Sequence, residues 1–79
     1  MRMGLRFRRG DARVLRFLAD RVRGGDFAGA AAIFDQAADA AQTGEPLVVE
    51  CVDPSEAHMM AAGYAQYGIK TPAVEELGG

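Results

Sequence analysis

Cys51 and His58 are each the single residue of their kind in this 79-residue chain. A thiol and an imidazole are the parts of a nucleophile and its base. Cys51 stands near the end of an apolar run, Leu-Val-Val-Glu-Cys-Val, and Asp53-Pro54-Ser55-Glu56 follows as a helix start. A helix N-terminus lowers a thiol pKa and attracts anions. The competing reading is a packed core thiol with a surface histidine, and the β-branched run favours it. Nothing else in the sequence completes a triad, a phosphate loop or a metal motif, and one Cys with one His excludes a structural zinc site of the usual kind. The expectation is a chain without catalytic residues, metal or cofactor.

Glu45, Glu50, Asp53 and Glu56 cluster in sequence. Paired carboxylates serve acid–base chemistry or bind divalent cations. Here Asp53 and Glu56 already have work as an N-cap and as the third residue of a capped helix.

The arginines form the third set. Residues 1–24 hold eight Arg and two Asp, a net +6; residues 25–79 hold one Lys against nine Asp and Glu, a net −8. Arg2, Arg6 and Arg8 alternate along one side of an expected strand, and Arg13 and Arg16 share a helix face. Such a set contacts phosphates, an acidic protein partner, or the acidic remainder of its own chain. The overall acidity and the lack of interleaved aromatic residues weigh against generic nucleic-acid binding. A second candidate surface is Met59, Met60, Tyr64 and Tyr67, soft and aromatic residues suited to adaptable interfaces. Met59 falls off the stripe of Met60 and Tyr64, so part of that helix is expected to expose apolar surface.

These residues need elements to hold them. Residues 1–8 alternate Met1, Met3, Leu5 and Phe7 against Arg2, Arg6 and Arg8, the period of a half-buried strand. Arg9-Gly10-Asp11 reads as a turn with Asp11 as N-cap of a helix to residue 23, with Asp11, Leu15, Leu18 and Val22 on one stripe and Val14 beside it. Gly24-Gly25 ends it. A second helix is predicted over residues 26–42, from Phe27, Ala30, Ala31, Phe34, Ala38 and Ala41 at helical spacing. Thr43-Gly44-Glu45-Pro46 is a loop, and residues 47–52 read as a central, buried strand. A third helix is predicted over residues 54–67, with Ala57, Met60, Ala61 and Tyr64 on one stripe, then Gly68 as C′ residue and Ile69 as its apolar contact. Thr71-Pro72 repeats the capping pattern and predicts a short helix over residues 72–77. The expected fold is a single α+β domain over residues 1–79, in the order β-α-α-β-α, with a helical hairpin, two strands predicted to pair in parallel, and a short C-terminal helix.

Gly25, Asp26, Phe27, Ala30, Phe34 and Ala37 match the spacing of the second helix of a tetratricopeptide repeat, and this segment resembles it. The preceding helix departs from that pattern at Leu18 and Arg21, and no second repeat follows, so the resemblance implies helix-hairpin packing and no solenoid. The order β-α-α-β-α is similar to that of the KH domain of RNA-binding proteins, a family that clamps nucleic acid with a G-x-x-G loop. Arg23-Gly24-Gly25-Asp26 lacks that spacing. Leu77-Gly78-Gly79 resembles the tail of ubiquitin-like carriers, whose folds have more strands than the two this sequence predicts.

Seventy-nine residues build a small core worth roughly 3–5 kcal/mol. Burial against a second copy, as a homodimer, is therefore expected. No apolar run is long enough to cross a bilayer, and Arg16, Asp20 and Arg21 interrupt residues 14–22, so no signal core is expected there. The sequence leads to a cytoplasmic, non-enzymatic protein-interaction module, an adaptor or small inhibitor of a larger complex, by analogy with small proteins of mobile elements. The alternative is a nucleic-acid binder using the N-terminal arginines, and behind it a Cys51 enzyme or a C-terminal Gly-Gly carrier.

Overall fold

A computed structural model describes residues 1–25 and 29–78. Asp26 and Phe27, expected to begin the second helix, lie outside them, as does Gly79. The elements are β1 (Arg2–Arg6), a single 3-10 turn (Arg9–Asp11), α1 (Ala12–Arg23), α2 (Ala30–Thr43), β2 (Leu47–Glu50), α3 (Pro54–Ala65) and β3 (Ala73–Glu76). The class is α+β, and the strands and α-helices up to α3 follow the expected order β-α-α-β-α.

The sheet is where the structure departs from expectation. It has three strands in the order β2-β1-β3, both pairs antiparallel. Two successive antiparallel helices return the chain to the end where β1 finished, so β2 must run backwards along β1. An Arg6 Nη1 bond to the Gly44 carbonyl, 2.6 Å, ties those two ends together. The short helix expected over residues 72–77 is instead β3. Its local capping signal is real, but Val74 pairs with Leu5 and Glu75 with Gly4. The open side of β1 offers backbone partners and a half-buried place for Val74, which a one-turn helix cannot match. The strand expected to be central, β2, is an edge with alternating half-buried and exposed residues, and β1 takes the centre.

The alternation of β1 buries Met3, Leu5 and Phe7 on the helix side of the sheet. They join Leu15 and Ala19 of α1, Phe34, Ala37, Ala38 and Ala41 of α2, Ala57, Ala61 and Tyr64 of α3, and Ile69 in one core. Gly4 faces the other side of the sheet. A Cβ there would lie 2.9 Å from Pro46 Cβ and 3.1 Å from Leu77 Cδ2, so these two side chains close over the central strand and exclude any larger residue.

The helix ends differ in how they are made. At α3 the Asp53 carboxylate accepts from the Ser55 and Glu56 N–H groups at 2.9 and 3.3 Å, and Glu56 reaches back to the Val52 N–H at 2.7 Å. Gly68 takes φ +84° and Ile69 behind it is buried, as the sequence predicts. At α1 the expected cap is absent: Asp11 has helical φ and ψ and makes no side-chain cap bond, because the 3-10 turn runs straight into the helix. Gly24 ends α1 with φ −87°, not in the left-handed region.

Candidate functional site

The structure sorts the arginines into two groups. Arg2 and Arg6 lie on the outer sheet face between acidic edge strands. Arg2 Nε is 3.9 Å from Glu50, and Arg6 Nη2 donates to Glu75 at 2.9 Å. Arg16 crosses from α1 to Asp35 and Asp39 of α2 at 3.2 and 2.5 Å, and Arg23 joins Asp35 at 2.5 Å and Asp20 at 2.8 Å. The hydrogen bond to Asp39 raises the Arg16 pKa further. The acidic remainder of the chain thus answers Arg2, Arg6, Arg16 and Arg23. Arg8, Arg9, Arg13 and Arg21 make no ion pair among the described residues, and Arg21 lies over the Phe17 ring at 5.8 Å. Arg9 and Arg13 line one shallow groove with Ala12, Arg16 and Gln42. Arg9 was not among the expected site residues, because the sequence placed it in a turn with no face to share.

The expected surface on α3 divides in the same way. Tyr64 belongs to the core: it is 6% exposed and its ring meets Phe7 and Phe34 edge-on at 5.0 and 6.1 Å. Its hydroxyl has no hydrogen-bond partner within the described protein, and burial pushes its pKa up. Met59 stands largely in solvent. Tyr67 is half-exposed and packs edge-on against Phe34 at 5.2 Å. Between α2 and α3 it forms one wall of an open apolar groove with Ile33, Phe34, Met60, Gly63 and Tyr64. Ile33 is 51% and Tyr67 54% exposed, in a molecule with little bulky core to spare. The sequence pointed to α3 and missed α2's share. Ile33 is the one large aliphatic residue of α2 and lies off its buried stripe, and that was the available signal.

Cys51 is buried and His58 exposed. Burial, then the Glu56 carboxylate, pushes the thiol pKa up, so at neutral pH it is a protonated, poor nucleophile. Ser55 and the Glu56 N–H hold the Asp53 carboxyl below its usual range. These carboxylates cap a helix and do not gather: among the described residues no cluster of His, Cys, Asp and Glu is placed to hold a metal ion. No described helix is long and apolar enough to cross a membrane. No protein-family model matches the chain, and no curated protein or solved structure does.

Proposed function

We propose that the chain is a non-enzymatic protein-interaction module, an adaptor or small inhibitor of a larger complex. Its partner seats an apolar side chain in the groove between α2 and α3. The observation that carries this reading is the exposure of Ile33 and Tyr67 beside Met60 around a groove floored by Phe34. A half-exposed Ile next to aromatic and thioether groups loses apolar area to water that a partner recovers, at roughly 25 cal/mol per Å². The raised thiol pKa of Cys51 supports the non-enzymatic part. The same surface is where a second copy would meet the chain, and the reading keeps the homodimer and the cytoplasmic setting.

The test is affinity capture from cells with the wild type and with Ile33→Ser/Tyr67→Ser side by side. A protein retained by the first and lost by the second is the expected result. Identical captured sets, with both chains folded by circular dichroism, would refute the groove.

The nucleic-acid alternative rests on Arg8, Arg9, Arg13 and Arg21, since Arg2, Arg6, Arg16 and Arg23 already face carboxylates. The groove shared by Arg9 and Arg13 is what keeps it in play. Anisotropy titrations against generic DNA and RNA at low salt decide it, because phosphate contacts are strongest there.

A further inference from the structure

We infer that the free edge of β2 takes an added strand, and that the strand is an extended basic segment of a protein partner. The backbone pattern sets the geometry. The Cys51 N–H donates to the Met1 carbonyl at 2.8 Å, so Met1, Met3 and Leu5 exchange hydrogen bonds with Cys51, Val49 and Leu47. The N–H and C=O groups of Val48 and Glu50 therefore point away from β1, and neither residue has another backbone partner among the described residues. Beside them runs a groove between β2 and the last turns of α2, lined by Gln36, Asp39, Ala40, Thr43 and Glu45. A strand laid there completes the ladder and rests its inner side chains on α2.

The charges choose the occupant. Glu50 and Glu45 flank the edge and are exposed; Asp39 stands in the groove wall, holding Arg16. The molecule already shows what β2 pairs with on its other side. β1 is Arg-Met-Gly-Leu-Arg, apolar residues alternating with arginines, and its Arg2 faces Glu50 directly across the ladder. A second basic, alternating strand on the free side repeats that match. Val48, 46% exposed, and Val52, 87% exposed, supply apolar contacts on either side of Glu50. The opposite edge, β3, presents the backbone of Val74 and Glu76 outward. This site is separate from the α2–α3 groove, so Ile33→Ser leaves it intact.

The experiment is a nitrogen-15 amide titration of the full chain with two capped peptides, Lys-Val-Arg-Val-Lys and Glu-Val-Glu-Val-Glu. The basic peptide is expected to shift the Val48 and Glu50 amides and slow their hydrogen exchange, with Val74 and Glu76 unaffected. The acidic peptide is expected to do neither. Val48→Pro removes an outward N–H that β1 does not use, and should abolish binding. Glu50→Lys keeps every backbone group and should weaken binding about fivefold or more. No change at either amide overturns the inference, as does equal binding of the acidic peptide. Concentration-dependent protection of Val48 and Glu50 in the free protein, with a doubled mass by ultracentrifugation, would assign the edge to a second copy instead.

Discussion

The two helix seams of this molecule are built in opposite ways. The α1–α2 hairpin buries mostly small residues: Leu15 and Ala19 of α1 and Ala37, Ala38 and Ala41 of α2, all without solvent exposure. Arg16 and Arg23 then cross it to Asp35 and Asp39. The α2–α3 seam is made from rings, with Phe34 touching Tyr64 and Tyr67 edge-on at centroid distances of 6.1 and 5.2 Å. Alanines let helix backbones approach closely and leave little space between them. Rings hold backbones apart and leave a gap whose rim, Ile33 and Met60, no part of the described chain covers. The first seam stabilises the fold; the second stabilises it and leaves a surface.

The sharpest way to break the contrast is at Tyr64, which serves both the core and the groove. Tyr64→Ala removes the ring that Phe7 and Phe34 pack against and should cost about 3–5 kcal/mol by urea denaturation. That is comparable to the whole stability of a chain this size, so the variant should be largely unfolded at 25 °C. Tyr64→Phe keeps the rings and deletes a buried hydroxyl without a partner. It should be neutral or stabilising by up to about 1 kcal/mol. A loss of stability in Tyr64→Phe would mean the hydroxyl is satisfied in solution.

Overpacking tests the other seam. Ala38 is fully buried, and Ala38→Leu should cost about 1–3 kcal/mol, because close-packed backbones have no room to yield. If it costs nothing, the small-residue seam is looser than its burial indicates and the contrast fails.

A smaller effect separates α3 from the hairpin. Hydrogen bonds from the Ser55 side chain and the Glu56 backbone lower the Asp53 pKa. A depressed folded-state pKa means stability that is fully present above the unfolded value, about 3.9, and lost as pH falls through the lower folded value. Asp53→Asn keeps a capping oxygen and does not titrate. Below about pH 4 the wild type should therefore lose stability more steeply than Asp53→Asn, measured by urea midpoints. Parallel acid profiles would show that the cap does not depend on the carboxylate charge.

How much of this was legible in advance follows from the range of the forces involved. The α3 cap, its Gly68-Ile69 ending and the alternation of β1 depend on neighbours a few residues away, and Asp53, Pro54 and Glu56 spell the first of these out. β3 was misread for the same reason. Thr71-Pro72 carries a local helix signal, and what overrides it is pairing with Leu5 and Gly4, almost a whole chain away. The sign of the β1–β2 pairing follows from the parity of the intervening helices: two of them bring the chain back to the end of β1, which makes the pair antiparallel and not parallel. The arginine clusters were visible as composition, but which of them meet carboxylates depends on α1 lying along α2. On α3 the spacing of Ala57, Ala61 and Tyr64 puts these three on one stripe, and the structure buries them, while Met60 of the same expected stripe is exposed at the groove rim, a register that only packing against α2 decides.

The last prediction is the one with the smallest thermodynamic signature. Ile33 is half in water, and a substitution there opens no cavity. Ile33→Ser should change stability by no more than about 0.5 kcal/mol, against the larger loss at Ala38 a little over one turn along the same helix. Surface residues are tolerant because water replaces whatever is removed, and that makes the variant informative about function. A folded chain with an unchanged urea midpoint, and with partner capture lost, separates the groove's role in binding from any role in holding α2 to α3. A clear fall in the midpoint would mean that Ile33 is covered in solution, and the groove would then be an internal contact with nothing left to offer a partner.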